Sequence, residues 1–212
     1  MPTGRDWQRC AVLEPLPASR VPEFVSDGAG LPFSPVVLEG PPEPLDSTDP
    51  AVSALAGQLD GRLVGWRLLA RTETEALFGR GLPPDLLTVV VRQEGKRGAW
   101  SCIAKGSGRP LRATRDGIRA SSWHLDEAVE LKPEDTVLRI CVTEQTFAGG
   151  RRADGRVLAP DLYVSEHDLV LTMYVKPQSG FQMRTPNPET PVRVPLAHPI
   201  GHRAVIDGAV YE

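Results

Sequence analysis

Residues 169–175, Leu-Val-Leu-Thr-Met-Tyr-Val, constrain the fold more than any other stretch of the chain. At the two-residue period of a strand, Leu169, Leu171, Met173 and Val175 share one face, and Val170, Thr172 and Tyr174 share the other. Both faces are largely apolar. The segment therefore predicts a central strand, covered by a core on one side and in part on the other. A polar turn, Ser165-Glu166-His167-Asp168, joins it to a run at 157–164, and the pair reads as an antiparallel hairpin. A lone two-stranded ribbon is marginal in water, so the runs at 137–143, 192–196 and 203–206 are its expected partners. Their spacing, with Gly and Pro turns between, predicts an antiparallel β-sandwich-like unit over 121–212. Within it Trp123 and Leu125 are expected to face inward.

Upstream, the punctuation changes. Asp49 is placed to cap a helix and Pro50 suits its first position, where a missing N–H costs nothing. Val52, Leu55 and Leu59 then recur at helical spacing until Gly61. Four short runs follow, 66–71, 76–79, 86–91 and 98–103, separated by polar, Gly or Pro-Pro breakers. One short helix and a meander make a small α+β unit over 50–104. Residues 11–50 hold nine prolines, so 1–49 reads as a Pro-rich extended arm. Phe24, Phe33, Val36 and Leu38 would anchor it over a later core, which counts against a disordered tail. Residues 105–120 read as a basic, solvated connector. Gly106-Ser107-Gly108 follows a strand there, but no phosphate-loop Gly-Lys-Ser/Thr accompanies it and Pro110 opposes an immediate helix. The expected fold class is mainly β with a small α+β part.

Charge and cysteine content narrow the function classes. A net charge of −3 leaves no overall basic field for nucleic acid. No apolar run approaches the roughly 20 residues of a membrane span. With Met1 as the natural start, the first residues lack the apolar segment of a signal peptide, which implies the cytoplasm. Cys10, Cys102 and Cys141 are odd in number and widely spaced, so neither a complete disulfide framework nor a C-x-x-C pair is present. Cys141, inside a predicted strand, reads as a small buried residue, and no neighbouring His or Lys in sequence marks it as reactive.

Candidate sites are few. His198 and His202 have the spacing of a zinc helix, but Pro199 and Gly201 oppose a helix and no Glu lies between them. His167 belongs to a hairpin tip in solvent. No Gly-x-Ser-x-Gly elbow is present. Paired carboxylates could come from Glu130, Glu134, Asp135, Glu144 and Asp154, whose separations sequence does not measure. No metal or other cofactor is expected. Long irregular loops on a rigid sheet are where function concentrates. That points to Arg151 and Arg152 at one loop tip, and to Phe181, Met183 and Arg184 on the loop 177–191. The competing reading has Phe181 and Met183 folding back to plug the end of the sandwich.

From about residue 65 to 212 the chain resembles a group of uncharacterised proteins from high-GC actinobacteria. The resemblance rests on Gly65-Trp66-Arg67, Leu77-Phe78-Gly79-Arg80-Gly81, Ser122-Trp123-His124-Leu125-Asp126, Val142-Thr143-Glu144, Asn187-Pro188-x-Thr190-Pro191 and Ile206-Asp207-Gly208. It carries no activity or cofactor. It implies that Phe147 and Arg184, where the group has a cysteine pair forming a disulfide, are neighbours here without the bridge. His198 and His202 fall where the group is acidic, which weakens a metal reading of them.

Three functions follow from these readings. The first is a non-catalytic binding module, using loops at one end of the sandwich to engage a protein partner. The second is a hydrolase using acidic residues at strand ends. The third is an assembly subunit that docks on a neighbour through its Pro-rich arm. A flat apolar patch would favour the first, a deep pocket with convergent carboxylates the second, and an arm with no home on its own body the third.

Overall fold

The computed structural model of the protein describes residues 7–17, 22–26, 30–95, 98–107, 110–146, 148–180 and 185–211. It is mainly β, with one α-helix, α1 (Pro50–Gln58), among the described residues. The strands of the first half are β1 (Ala11–Val12), β2 (Leu16–Pro17), β3 (Glu23–Ser26), β4 (Trp66–Arg71), β5 (Glu75–Arg80), β6 (Leu87–Gln93), β7 (Trp100–Gly106) and β8 (Leu111–Arg115). Those of the second half are β9 (Ile118–Leu125), β10 (Val137–Thr143), β11 (Asp161–Val164), β12 (Asp168–Tyr174), β13 (Thr190–Pro195), β14 (Ala204–Asp207) and β15 (Val210–Tyr211). Two compact units form. One is built from Met1–Arg20 and Ile118–Ala209, the other from Val21–Gly117 and Val210–Glu212. No described helix is long and apolar enough to cross a membrane.

The first unit is the sandwich-like one. Its strands follow the order β1-β13-β10-β9-β12-β11-β2, with β14 also beside β12. The antiparallel centre, β13-β10-β9-β12-β11, is extended by three parallel pairings that the sequence did not suggest: β1 on β13, β2 on β11 and β14 on β12. β12 is central, as its two apolar faces require. β11 lies along one edge, while β14 and then β9 share the other, β9 joining only at Met173 and Tyr174. At that short junction the sheet folds over. Leu138, Ile140 and Val142 of β10, Val192 and Val194 of β13, and Leu169, Leu171 and Met173 of β12 then share one core. Trp123 and Leu125 pack against it from β9, and the Trp123 indole N–H donates to the Leu171 carbonyl at 3.0 Å. The first arm of the hairpin is shorter than 157–164 because Pro160 has no N–H for a ladder. Only Val157 bridges, to Val175.

The second unit holds the helix and the meander. Asp49 Oδ1 accepts from the Ala51 N–H at 2.8 Å, and Ala51, Val52 and Leu55 bury against Trp66, Ala76, Phe78, Val89 and Val91 of the antiparallel sheet β4-β5-β6-β7. The expected arm, 1–49, is divided between the units: 11–17 pair with β13 and β11 in the first, and the part from Val21 belongs to the second. Phe24, Phe33 and Leu38 are buried, whereas Val36 is half exposed and does not anchor. At Gly30 (φ 131°) a Cβ would stand 3.1 Å from a Leu77 methyl, so the chain passes close over that sheet only with glycine there. β3 and β15 flank β8, and the Phe24 and Tyr211 rings meet edge to face at 5.3 Å.

One expectation is corrected outright. Residues 105–120 are not a solvated connector, because β7 runs to Gly106, β8 covers Leu111–Arg115 and β9 begins at Ile118. Leu111, Ala113 and Thr114 are buried, and Arg112 and Arg115 beside them are partly buried. The overlooked signal is Asp116-Gly117, a tight-turn dipeptide whose residues both take positive φ, 52° and 76°.

Candidate functional site

Strand alternation decides what the outer face of β13-β10-β9 displays. Ile140 and Val142 point into the core, so Cys141 between them points out; Trp123 and Leu125 point in, so His124 points out. The register sets Cys141 opposite His124 on one side and opposite Pro191 on the other. Glu189, two residues before Pro191, comes to the same face. One ligand-capable atom each from His124, Cys141 and Glu189 lie within 4.8 Å of one another. Cys141 forms the floor and is inaccessible, while the His124 and Glu189 side chains remain 44% and 38% exposed above it.

The imidazole is held at both nitrogens. Nδ1 lies 2.9 Å from the Leu125 carbonyl and Nε2 lies 2.8 Å from Glu189 Oε1. A carbonyl oxygen only accepts, so Nδ1 carries a hydrogen and donates. Nε2 then faces the carboxylate either with a second hydrogen, as imidazolium, or with its lone pair. The cluster thus combines a buried thiol, an oriented imidazole and a carboxylate, the elements of a nucleophile–base–orienter set or of a metal-ligand set.

Glu189 also borders a cleft of about 390 Å³ lined by Arg9, Cys10, Ala11, Arg152, Asp154 and Pro191. Arg152 lies 3.6 Å from Asp154 as an exposed ion pair. Behind the cleft, a bracket ties the loops that follow β10 to those that precede β13. Arg156 grips the Glu144 carboxylate with two bonds of 2.8 and 2.6 Å and donates to the Lys176 carbonyl at 2.9 Å. The carboxylate in turn holds the guanidinium's pKa above its ordinary value. Asn187 donates to the carbonyls of Glu144 and Thr146 and accepts from the Ala148 N–H, and Thr190 Oγ1 accepts from Ala153 at 2.7 Å. Gly150 (φ 73°) approaches Thr185 so closely that a Cβ would stand 2.9 Å from its methyl. The described residues of the loop end are thus tied to one another by these bonds.

The residues singled out from sequence fare differently. Arg152 lines the cleft, and Arg151 is exposed beside it. Phe181, Met183 and Arg184 lie outside the described residues, as does Phe147, and so does the expected neighbourhood of Phe147 and Arg184. Of the acidic residues, Glu144 is buried and bound to Arg156, Asp135 accepts from the Lys132 N–H, and Glu130, Glu134 and Asp154 are exposed. His167, His198 and His202 are exposed, and Pro199 and Ile200 lend their carbonyls to Arg203. Sequence reasoning missed the association of His124 and Glu189 with Cys141. Alternation could have assigned His124 and Cys141 to the outer face, but their register could not be read.

The second unit holds a larger hollow, about 530 Å³, between Pro41, Pro42, Pro44 and the sheet residues Arg67, Leu68 and Phe78. Several of its polar groups are engaged within the unit. Arg67 donates to the carbonyls of Val37 and Gly40, Asp46 accepts from Thr48, and Asp49 caps α1 and pairs with Arg71. It is scaffold for the arm. Compared with protein-family models, with curated proteins and with solved structures, the chain matches none.

Proposed function

We propose that the protein is a non-catalytic binding module that receives a segment of another protein in the cleft bordered by Arg9, Arg152, Asp154 and Glu189. The observation that carries this reading is a shallow, solvent-facing cleft with charges of both signs, braced from behind by the Glu144–Arg156–Asn187 bracket. Such a surface suits a polypeptide, whose own alternating charges fix register and orientation. Beside it, among the described residues, β1 pairs along the outer edge of β13 and the Leu13 N–H donates to the Arg193 carbonyl, next to the cleft residues Cys10 and Ala11. The hydrolase reading loses its most sheltered carboxylate, because Glu144 is neutralised by a bidentate guanidinium. The assembly reading required an arm without a place on its own body, and Phe24, Phe33 and Leu38 have one.

The test is co-purification from the native host with the wild-type chain and with Arg152→Glu, followed by mass spectrometry and a direct titration of what is retained. Arg152 is exposed and its pairing with Asp154 contributes little to the fold. A defined protein partner held by the wild type and weakened at least about tenfold by the reversal supports the reading. A partner held equally by both chains refutes it.

A further inference from the structure

We propose that His124, Cys141 and Glu189 form a binding site for one divalent transition-metal ion of the zinc class. The inference shares Glu189 with the binding reading but does not depend on it, since Arg152→Glu, which tests that reading, leaves all three ligands in place. Three independent observations converge on it.

The donor set is the first. Thiolate, imidazole and carboxylate are the three protein ligand types that zinc accepts, and three of them with one open position is the arrangement of reactive rather than closed sites. Distance is the second. The three atoms lie within 4.8 Å of one another, whereas ligands around tetrahedral zinc stand about 3.3–3.7 Å apart. Side-chain rotation of about an ångström therefore suffices, with Nε2 and Oε1 spreading from 2.8 Å and the sulfur drawing in.

The third is the hydrogen bond from Nδ1 to the Leu125 carbonyl. Metal-bound histidines use this device, in which one nitrogen donates to a backbone carbonyl and the other is left to aim its lone pair at the ion. Here Nε2 meets a carboxylate oxygen at 2.8 Å, the distance of a hydrogen bond. A cation that takes the place of the hydrogen between them turns the pair into two ligands. On binding, Cys141 gives its thiol proton to solvent, as does Nε2 where the ring carries two, so affinity falls as pH falls. Cys141 supplies the buried ligand beneath, and the exposed His124 and Glu189 leave the fourth position to water or to a group entering from the cleft. His198 and His202, on an exposed turn, take no part.

Cobalt(II) is the probe, because tetrahedral thiolate coordination gives it intense visible bands and a sulfur-to-metal charge-transfer band. Metal-free protein titrated with CoCl₂ should bind one equivalent with both features, and ZnCl₂ should displace it. Cys141→Ser should abolish the charge-transfer band. His124→Asn and Glu189→Gln should each weaken cobalt and zinc binding at least about tenfold. The double variant His198→Asn/His202→Asn should bind as the wild type does. Cys141 is buried, so its variant is first checked for folding by circular dichroism; should it not fold, Glu189→Gln, at an exposed position, decides. The proposal is overturned by a weak octahedral spectrum in the wild type, by unchanged affinity in Glu189→Gln, or by loss of binding in the His198/His202 variant.

Discussion

Replacing Arg156 by methionine tests whether the bracket behind the cleft is held by charge. The Glu144 side chain is 2% exposed and that of Arg156 19%. Removing one partner of a buried pair costs about 3–5 kcal/mol, mostly because the other charge is left without compensation. Two circumstances reduce that figure here. Thr146 Oγ1 still donates to Glu144 Oε1 at 3.0 Å, and water already reaches the guanidinium end. Against this, the bonds from Arg156 to the Lys176 and Arg152 carbonyls are lost as well. The expected loss is about 2–4 kcal/mol, or a melting temperature lower by about 5–15 °C for a chain of this size. Urea titration followed by far-ultraviolet circular dichroism measures it. Glu144→Gln should cost less, about 1–2 kcal/mol, since Arg156 keeps its carbonyl partners and its access to water. The double variant should be more stable than Arg156→Met alone, because no buried charge remains. A loss below about 1 kcal/mol for Arg156→Met, or a double variant that loses the sum of both single effects, would refute the charge-held bracket.

Two further outcomes follow from the cores. Leu171→Ala, at the centre of β12, should cost about 2–5 kcal/mol in a denaturant titration through lost burial and a cavity; a loss under about 1 kcal/mol would remove β12 from the centre of its core. Asp49, hydrogen-bonded chiefly by Arg71, has its carboxyl held below the ordinary range. Its stabilisation is complete above the unfolded value of about 3.9 and is lost as pH falls through the lower folded value. Asp49→Asn keeps an acceptor for the Ala51 N–H but not the ion pair, so its melting temperature should decline less steeply than the wild type's below about pH 4; parallel curves would argue that Arg71 contributes nothing.

What could be read from sequence was what repeats locally. The stripe Val52–Leu55–Leu59 after Asp49-Pro50 placed α1, and the two-faced run 169–175 placed β12, because each signal lies within one helix or one strand. The parallel partners escaped for the opposite reason. Ala11–Val12 and Leu16–Pro17 are too short for any period to show, and they are strands only because the edges of β13 and β11 accept them. Residues 110–120 were masked by their arginines, which alternate with Leu111 and Ala113 instead of crowding a loop. The site is the extreme case. His124, Cys141 and Glu189 meet through the register of three strands, and register is settled by the packing of Leu138, Ile140, Val142 and Val192 on the hidden side. Arg152 could be placed on a loop tip because a Gly-Gly turn marks its loop.

The exchange of short end segments sets an order for biosynthesis. A chain made from its N-terminus presents Val21–Gly117 early, with α1 and the four-stranded meander able to close at once, since their pairings are between neighbours. One flank of β8 stays open, however, until Val210–Tyr211 emerges, and Phe24 waits as long for the ring that meets its own. Residues 11–17 wait likewise for β13 and β11. Until Val210–Tyr211 is made, β8 has a bare flank able to recruit a strand from another nascent chain. Two residues, Val210 and Tyr211, thus act as a seal on a sheet laid down about a hundred residues earlier.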